Sequence, residues 1–294
     1  RTPPVIMGHE FSGEVIQLGE DVDNLALGDR VAVYPIDFCG KCEMCQKGNV
    51  HLCLNKRAFG VLDVNGAFAE YICVPAKVCF KLKDNITYKV GSIMEPLAVA
   101  YRAIAHLGDL NGKNVLVVGT GTIGLLALTC VKMQNPNKIF VSDLSDSRLK
   151  IAKQMGADFV INPSKNDLQD IIMSETNNKG VDAVAEAVGV ADTVKQGIDV
   201  LSFGGSAVWI GINSKIIDVE MQKIVTKELT VKGSFLYGFG EFKKVVDILN
   251  KGKINITPLL SREISLEELP KTMKQMSDDP GDLIKVTVVN KKQL

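Results

Sequence analysis

The rhythm of apolar and polar positions changes along this chain. Up to about residue 90 the apolar residues come in short runs. Val31-Ala-Val33 and Phe68-Ala-Glu70-Tyr71-Ile-Cys73-Val74 are two of them, bounded by Gly28-Asp29 and Pro75. Runs of this kind predict strands separated by turns, and Gly13, Gly19 and Gly28 suit a compact β lobe rather than a helical one. Around Glu95 the spacing becomes helical. Pro96 fits a first helical turn, Leu97, Tyr101 and Ile104 follow on one face, and Gly108 is the expected stop.

From Asn114 to about Lys232 the chain alternates strand and helix, as a parallel sheet demands. The expected strands are Val115–Val118, Lys138–Ser142, Phe159–Ile161, Val181–Ala185, Ala207–Ile210 and Leu229–Lys232. The helices between them are Ile123–Met133, Ser147–Met155, Leu168–Glu175 and Thr193–Leu201. Six strands with right-handed helical crossovers make a doubly wound α/β sheet. Phe242–Lys251 follows as a helix. Ser265-Leu-Glu-Glu268 offers a capping box for another, ended by Asp278-Asp-Pro280-Gly281. Ile284–Val288 alternates like a closing strand.

Composition narrows the function classes. The chain has 294 residues, 46% of them hydrophobic and 23% charged, which leaves room for two globular domains. Its 34 basic residues balance its 34 acidic ones and are scattered, so no basic face for nucleic acid is expected. The longest stretch without a charge, Asn114–Val131, approaches a membrane span in length. Gly119, Gly121 and Gly124, with Thr120 and Thr122 among them, predict strand, turn and helix instead. The chain opens Arg1-Thr2-Pro3-Pro4 with no visible targeting peptide, and the expected compartment is the reducing cytoplasm.

Candidate chemistry begins with Cys39-x-x-Cys42-x-x-Cys45 and Cys53. This spacing lets one loop turn four thiolates onto a zinc ion, with Lys41 and Lys47 partly offsetting their charge. The rival reading is a pair of disulfides. Four thiolates leave no open position, so such a zinc is structural.

Gly119-Thr120-Gly121-Thr122-Ile123-Gly124 follows an apolar strand and opens a helix, the context in which a G-x-G-x-x-G loop binds a pyrophosphate. Asp143, at the end of the next strand, can accept from both ribose hydroxyls and repel a 2′-phosphate, so NAD is favoured over NADP. A helix-capping role for Asp143 is the alternative. His9 and Glu10, in Gly8-His9-Glu10, could both ligate a second zinc.

Taken together, Gly8-His9-Glu10-Phe11-Ser12-Gly13, the four-cysteine lobe, Glu95-Pro96-Leu97 and the Gly119–Gly124 loop resemble the zinc-containing medium-chain dehydrogenases over essentially the whole chain. The resemblance is greatest to the sorbitol, threonine, butanediol and galactitol-phosphate dehydrogenase branch, through Glu95-Pro96 and Asp143-Leu-Ser145 with Arg148-Leu149. It implies a doubly wound Rossmann domain at 96–233 and a GroES-like β-rich catalytic domain at 1–95, to which 234–294 returns. His9 and Glu10 are then ligands of a catalytic zinc, with Glu95 beside the metal. Gly119, Gly121, Thr122, Ile123, Gly124, Asp143 and Arg148 line the cofactor site, with Ile210, Ile212 and Phe235 at its nicotinamide end.

The family's first catalytic ligand is a cysteine upstream of Gly-His-Glu. The catalytic domain is therefore expected to be N-terminally incomplete here. Leu236 stands where sorbitol dehydrogenases carry arginine, which speaks against sorbitol itself. His51 and His106 match no ligand, and Cys73, Cys79 and Cys130 are expected to be buried packing residues.

The implied activity is NAD-linked, zinc-dependent oxidation of a secondary alcohol, namely a polyol, vicinal diol or threonine-like small molecule. The implied assembly is a dimer or tetramer, with neither nucleic acid nor membrane as partner. Two other readings stay open at this point. One is a zinc-stabilised dinucleotide-binding protein without activity. The other is a zinc-free, NADPH-dependent alkene or quinone reductase.

Overall fold

The computed structural model describes residues 4–61 and 64–290. The chain divides into two compact units, Val99–Phe235 on one hand and the residues up to Ala98 with those from Leu236 onward on the other. The boundary falls inside the helix Met94–Ala105.

The Val99–Phe235 unit is built on a six-stranded parallel sheet. Its order from edge to edge is Thr230–Gly233, Leu201–Trp209, Val181–Glu186, Asn114–Val118, Lys138–Ser142 and Phe159–Ile161. The strand order reverses between Asn114–Val118 and Val181–Glu186, which opens a crevice at their carboxyl ends. Strand Asn114–Val118 is apolar on both faces because both faces are covered. Leu116 and Val118 pack with Phe140, Ile161, Leu168, Ile172, Val184 and Ile198. Val115 and Val117 point the opposite way, as strand alternation requires, and are equally buried, as are Leu125, Leu126 and Leu128 of the helix Thr122–Lys132. Each such side chain removed from water contributes about 1.5–3 kcal/mol.

The other unit holds short strands. Ser12–Glu14, Arg30–Val33 and Cys79–Lys81 form an antiparallel sheet, and Ile36–Asp37 pairs with Arg57–Ala58. Leu260–Ile264 pairs in parallel with Lys285–Val288. Its core is aromatic. Tyr34 and Tyr237 are completely buried, edge to face, with ring centroids 5.5 Å apart, and Phe242 stacks on Tyr237 at 5.8 Å.

Four sequence expectations need correction. The run Phe68–Val74 forms no regular strand; the adjoining backbone bonds irregularly instead, with Gly66, Ala67 and Phe68 donating to Ile6, Gly8 and Met7. The fifth strand of the large sheet starts at Leu201 rather than Ala207, because its pairing breaks register between Leu201 and Ser206. Half of the capping box forms, Glu268 accepting from the Ser265 amide at 2.8 Å, but the α-helix begins only at Leu269, with Pro270 in its first turn. Cys73 is exposed, whereas Cys130 is buried. Among the described residues no helix is long and apolar enough to cross a membrane; Asn114–Val131 divides into strand and helix.

Candidate functional site

Three groups of polar side chains are candidates for chemistry. The first is the four-cysteine loop, which the pair Ile36–Asp37 and Arg57–Ala58 closes at its base. Between these strands lie a short helix, Glu43–Gln46, and a 3-10 turn, Val50–Leu52. The sulfur separations are 3.5 Å for Cys39–Cys53, 3.8 Å for Cys42–Cys53 and 4.0 Å for Cys39–Cys45. A disulfide would need about 2.05 Å. A tetrahedron with bonds of about 2.3 Å to its centre has edges of about 3.8 Å, so the four sulfurs already describe a zinc-sized cage. Backbone amides of Lys41 and Cys42 pull the Cys39 thiol down to about 6, whereas burial pushes Cys45 up to about 12. Lys47 pairs with Glu43 at 2.5 Å, so its charge goes to that carboxylate rather than to the thiolates as expected.

The second group is His9, Glu10 and Glu95. Each brings one donor atom to within 4.8 Å of the other two. His9 follows Gly8, whose backbone has φ +100° and is pressed against two further glycines. A Cβ on Gly60 or Gly66 would lie 2.3 or 2.2 Å from the Gly8 carbonyl oxygen, so these close approaches need glycine. Glu95 comes from the first turn of the helix Met94–Ala105 and is only 6% exposed. Burial pushes its carboxyl up to about 7, partly countered by the Tyr237 hydroxyl, which donates to Oε1 at 2.9 Å. Burial and the neighbouring Glu95 charge hold the Tyr237 phenol well above its usual value. Glu10 Oε2 pairs with Lys285 of the strand Lys285–Val288, and burial lowers that ammonium to about 8. An imidazole and two carboxylates are a donor set that zinc accepts, so the residues present fit such an ion.

The third group lies at the carboxyl ends of the parallel strands. Gly119 has φ +92°, and a Cβ on Gly124 would meet its carbonyl oxygen at 1.9 Å, so loop and helix touch backbone to backbone. A Cβ on Gly121 would meet nothing within 4 Å, which leaves open space beside the loop. Gly121 also caps the helix Thr122–Lys132 with no side-chain bond to its first amides. Open space in front of an uncapped helix start suits a pyrophosphate.

Asp143 binds this loop to the next one, Oδ2 accepting from Thr120 N at 2.7 Å and Oδ1 from Ser145 N at 2.8 Å. The helix cap is Ser145, whose hydroxyl accepts from the Arg148 amide, so the capping alternative for Asp143 falls away. Ile210, Ile212 and Phe235 follow the neighbouring strands Leu201–Trp209 and Thr230–Gly233; Ile210 is buried, the other two exposed.

Tyr237, Lys285 and Glu186 escaped sequence reasoning. Glu186, buried at a strand end, accepts through Oε1 from Val188 N, Gly189 N and the Thr193 hydroxyl at 2.7–2.9 Å. A glutamate directly after the apolar run Ala183–Ala185 was the signal available for it. Tyr237 and Lys285 gave none, since their partners are remote in sequence.

Comparison with known proteins places this geometry in a class. The zinc-binding dehydrogenase profile matches residues 122–251, and the alcohol dehydrogenase GroES-like domain profile matches residues 1–84. D-xylulose reductase A of Aspergillus niger is 34% identical over 282 residues, covering 95% of this chain and 79% of that protein. Among solved structures, 2R,3R-butanediol dehydrogenase of Bacillus subtilis is 33% identical with a TM-score of 0.90, over 99% of this chain and 82% of that one. A Sinorhizobium meliloti protein bound to NADP is 34% identical with a TM-score of 0.91, over 98% and 84%. The chain belongs to the zinc-binding dehydrogenases with a GroES-like domain. Within that family it is an alcohol oxidoreductase that works with zinc and a nicotinamide cofactor.

Proposed function

We propose that this chain oxidises the secondary alcohol of a vicinal diol or small polyol to a ketone, reducing NAD. The observation that carries the reading is the meeting of the adjacent His9 and Glu10 with Glu95, remote in sequence, their donor atoms within 4.8 Å of one another. Bound to these residues and to the glycine loop, zinc supplies Lewis acidity toward the alcohol oxygen and nicotinamide the hydride acceptor. His9, Glu10 and Glu95 hold the metal. Glu95 would complete that donor set from the first turn of the helix Met94–Ala105.

Gly119, Gly121, Thr122, Ile123 and Gly124 receive the pyrophosphate. Asp143 and Arg148 take the adenosine ribose, and Ile210, Ile212 and Phe235 the nicotinamide end. The Asp143 carboxylate, just past the strand Lys138–Ser142, would repel a 2′-phosphate, which supports NAD over NADP. Cys39, Cys42, Cys45 and Cys53 hold a second, structural zinc. Leu236 in place of an arginine supports a less hydroxylated substrate than sorbitol. The thiolate cluster supports a reducing, cytoplasmic setting. Exposed Ile216, Met221 and Val225, which follow the strand Leu201–Trp209, support a homo-oligomer.

The test is NADH formation with 2,3-butanediol, xylitol, sorbitol and threonine, before and after chelation and after zinc is restored. The reading expects NAD-dependent turnover of at least one diol or polyol, lost on chelation and recovered with zinc. Turnover that ignores the chelator, or oxidation of NADPH by alkenes instead, would contradict it.

A further inference from the structure

We propose that Tyr237 is the positioning residue of Glu95: its phenolic O–H fixes the carboxylate in the orientation that brings it to His9 and Glu10. The inference rests on the reading of those three residues as a metal site.

Glu95 is 6% exposed, and the Tyr237 hydroxyl at 2.9 Å supplies the one hydrogen bond its side chain receives among the described residues. A buried carboxylate with a single donor takes its orientation from that donor. The donor is itself immobile. The Tyr237 ring has no exposure, stacks on Phe242 with an interplanar angle of 20° and meets Tyr34 edge to face at 77°. Its backbone is held as well, because the Tyr34 hydroxyl donates to the Tyr237 carbonyl at 3.2 Å in a buried bond. Leu236, the preceding residue, has φ +55°, a left-handed conformation that a branched side chain adopts only when its surroundings impose it. Strained turn, clamped carbonyl and packed ring together aim one hydroxyl at one carboxylate oxygen.

A buried tyrosine that merely needs an acceptor would give the same contact, so the experiment must separate packing from aim. Tyr237→Phe keeps the ring against Tyr34 and Phe242 and removes only the hydroxyl. The readout is the visible absorption of cobalt(II) at the His9–Glu10–Glu95 site, with zinc retained by the four cysteines, together with cobalt affinity and far-UV circular dichroism. The expected result is a wild-type far-UV dichroism spectrum, an altered cobalt band and roughly tenfold weaker cobalt binding, the scale of losing a bond to a charged group. In a Glu95→Ala background the same substitution should change neither band nor affinity.

Wild-type cobalt band and affinity in Tyr237→Phe would overturn the inference and leave the metal site standing. If the unsubstituted protein binds no cobalt outside the four cysteines, the metal site and the inference fall together. Should Tyr237→Phe not fold, Tyr34→Phe releases the carbonyl clamp and is expected to shift the band less, in the same direction; an unaltered band there overturns the inference.

Discussion

The four-cysteine loop and the His9–Glu10–Glu95 group solve the problem of gathering metal donors in opposite ways. The loop draws all its donors from one short stretch, buries little apolar surface of its own and places its sulfurs at tetrahedral edge distances. Its shape depends on the ion, because four thiolates brought together without one repel each other. In the second group the fold provides what the ion provides in the first. His9 is held by glycine-to-glycine backbone contacts, Glu95 by a buried tyrosine and Glu10 by Lys285. A metal can therefore leave the second site without the surrounding structure following it. That arrangement suits an ion that must keep room for a substrate.

The largest expected difference between the two centres follows metal removal from the loop. Cys39→Ser should lose the structural zinc and open the segment between Asp37 and Arg57. Limited proteolysis read by mass spectrometry should then show new cuts there, with the parallel sheet intact. Binding free energies on the order of 10 kcal/mol for structural zinc set the scale. Equal protease resistance with and without the ion would show that the loop is as preformed as the other site, and the contrast would break.

Next in size is a pH effect confined to the second site. In the metal-free protein the folded Glu95 carboxyl titrates near 7 and the unfolded one near 4.5. Between those values the folded state binds the extra proton, so stability falls as pH rises through this window and levels off above it. The shift corresponds to a loss on the order of 3 kcal/mol. Denaturant unfolding from pH 4.5 to 7.5 should show this decline in the metal-free protein and its absence in Glu95→Gln.

The smallest effect concerns Asp143, an intermediate case whose carboxylate joins two neighbouring loops. Asp143→Asn removes the charge and keeps an acceptor toward one of those amides, turning an NH2 toward the other. The ratio of NADH to NADPH binding, measured by fluorescence titration, should fall roughly tenfold, about 1.4 kcal/mol. An unchanged ratio would place cofactor discrimination elsewhere, Arg148 being the nearest candidate in sequence.

How much of this was legible in the sequence follows the same division. The cysteine loop and the glycine loop could be read because the working atoms of each lie within one short stretch of chain. The six strands of the large sheet were legible because both its faces are buried, which leaves unbroken apolar runs such as Val115–Val118. Phe68–Val74 looked equally strand-like, yet its neighbourhood serves an irregular contact with residues 6–8 that glycine spacing does not reveal. Nothing near Tyr237 or Lys285 marks them as partners of Glu95 and Glu10. Those contacts depend on where the C-terminal part of the chain packs, and no local period encodes that.

Zinc content per chain, measured by mass spectrometry on the purified protein and on His9→Ala, tests the central claim most directly. The account predicts two ions in the first and one in the second, with the four-cysteine ion retained and NAD reduction abolished. Equal zinc content in both proteins would contradict it.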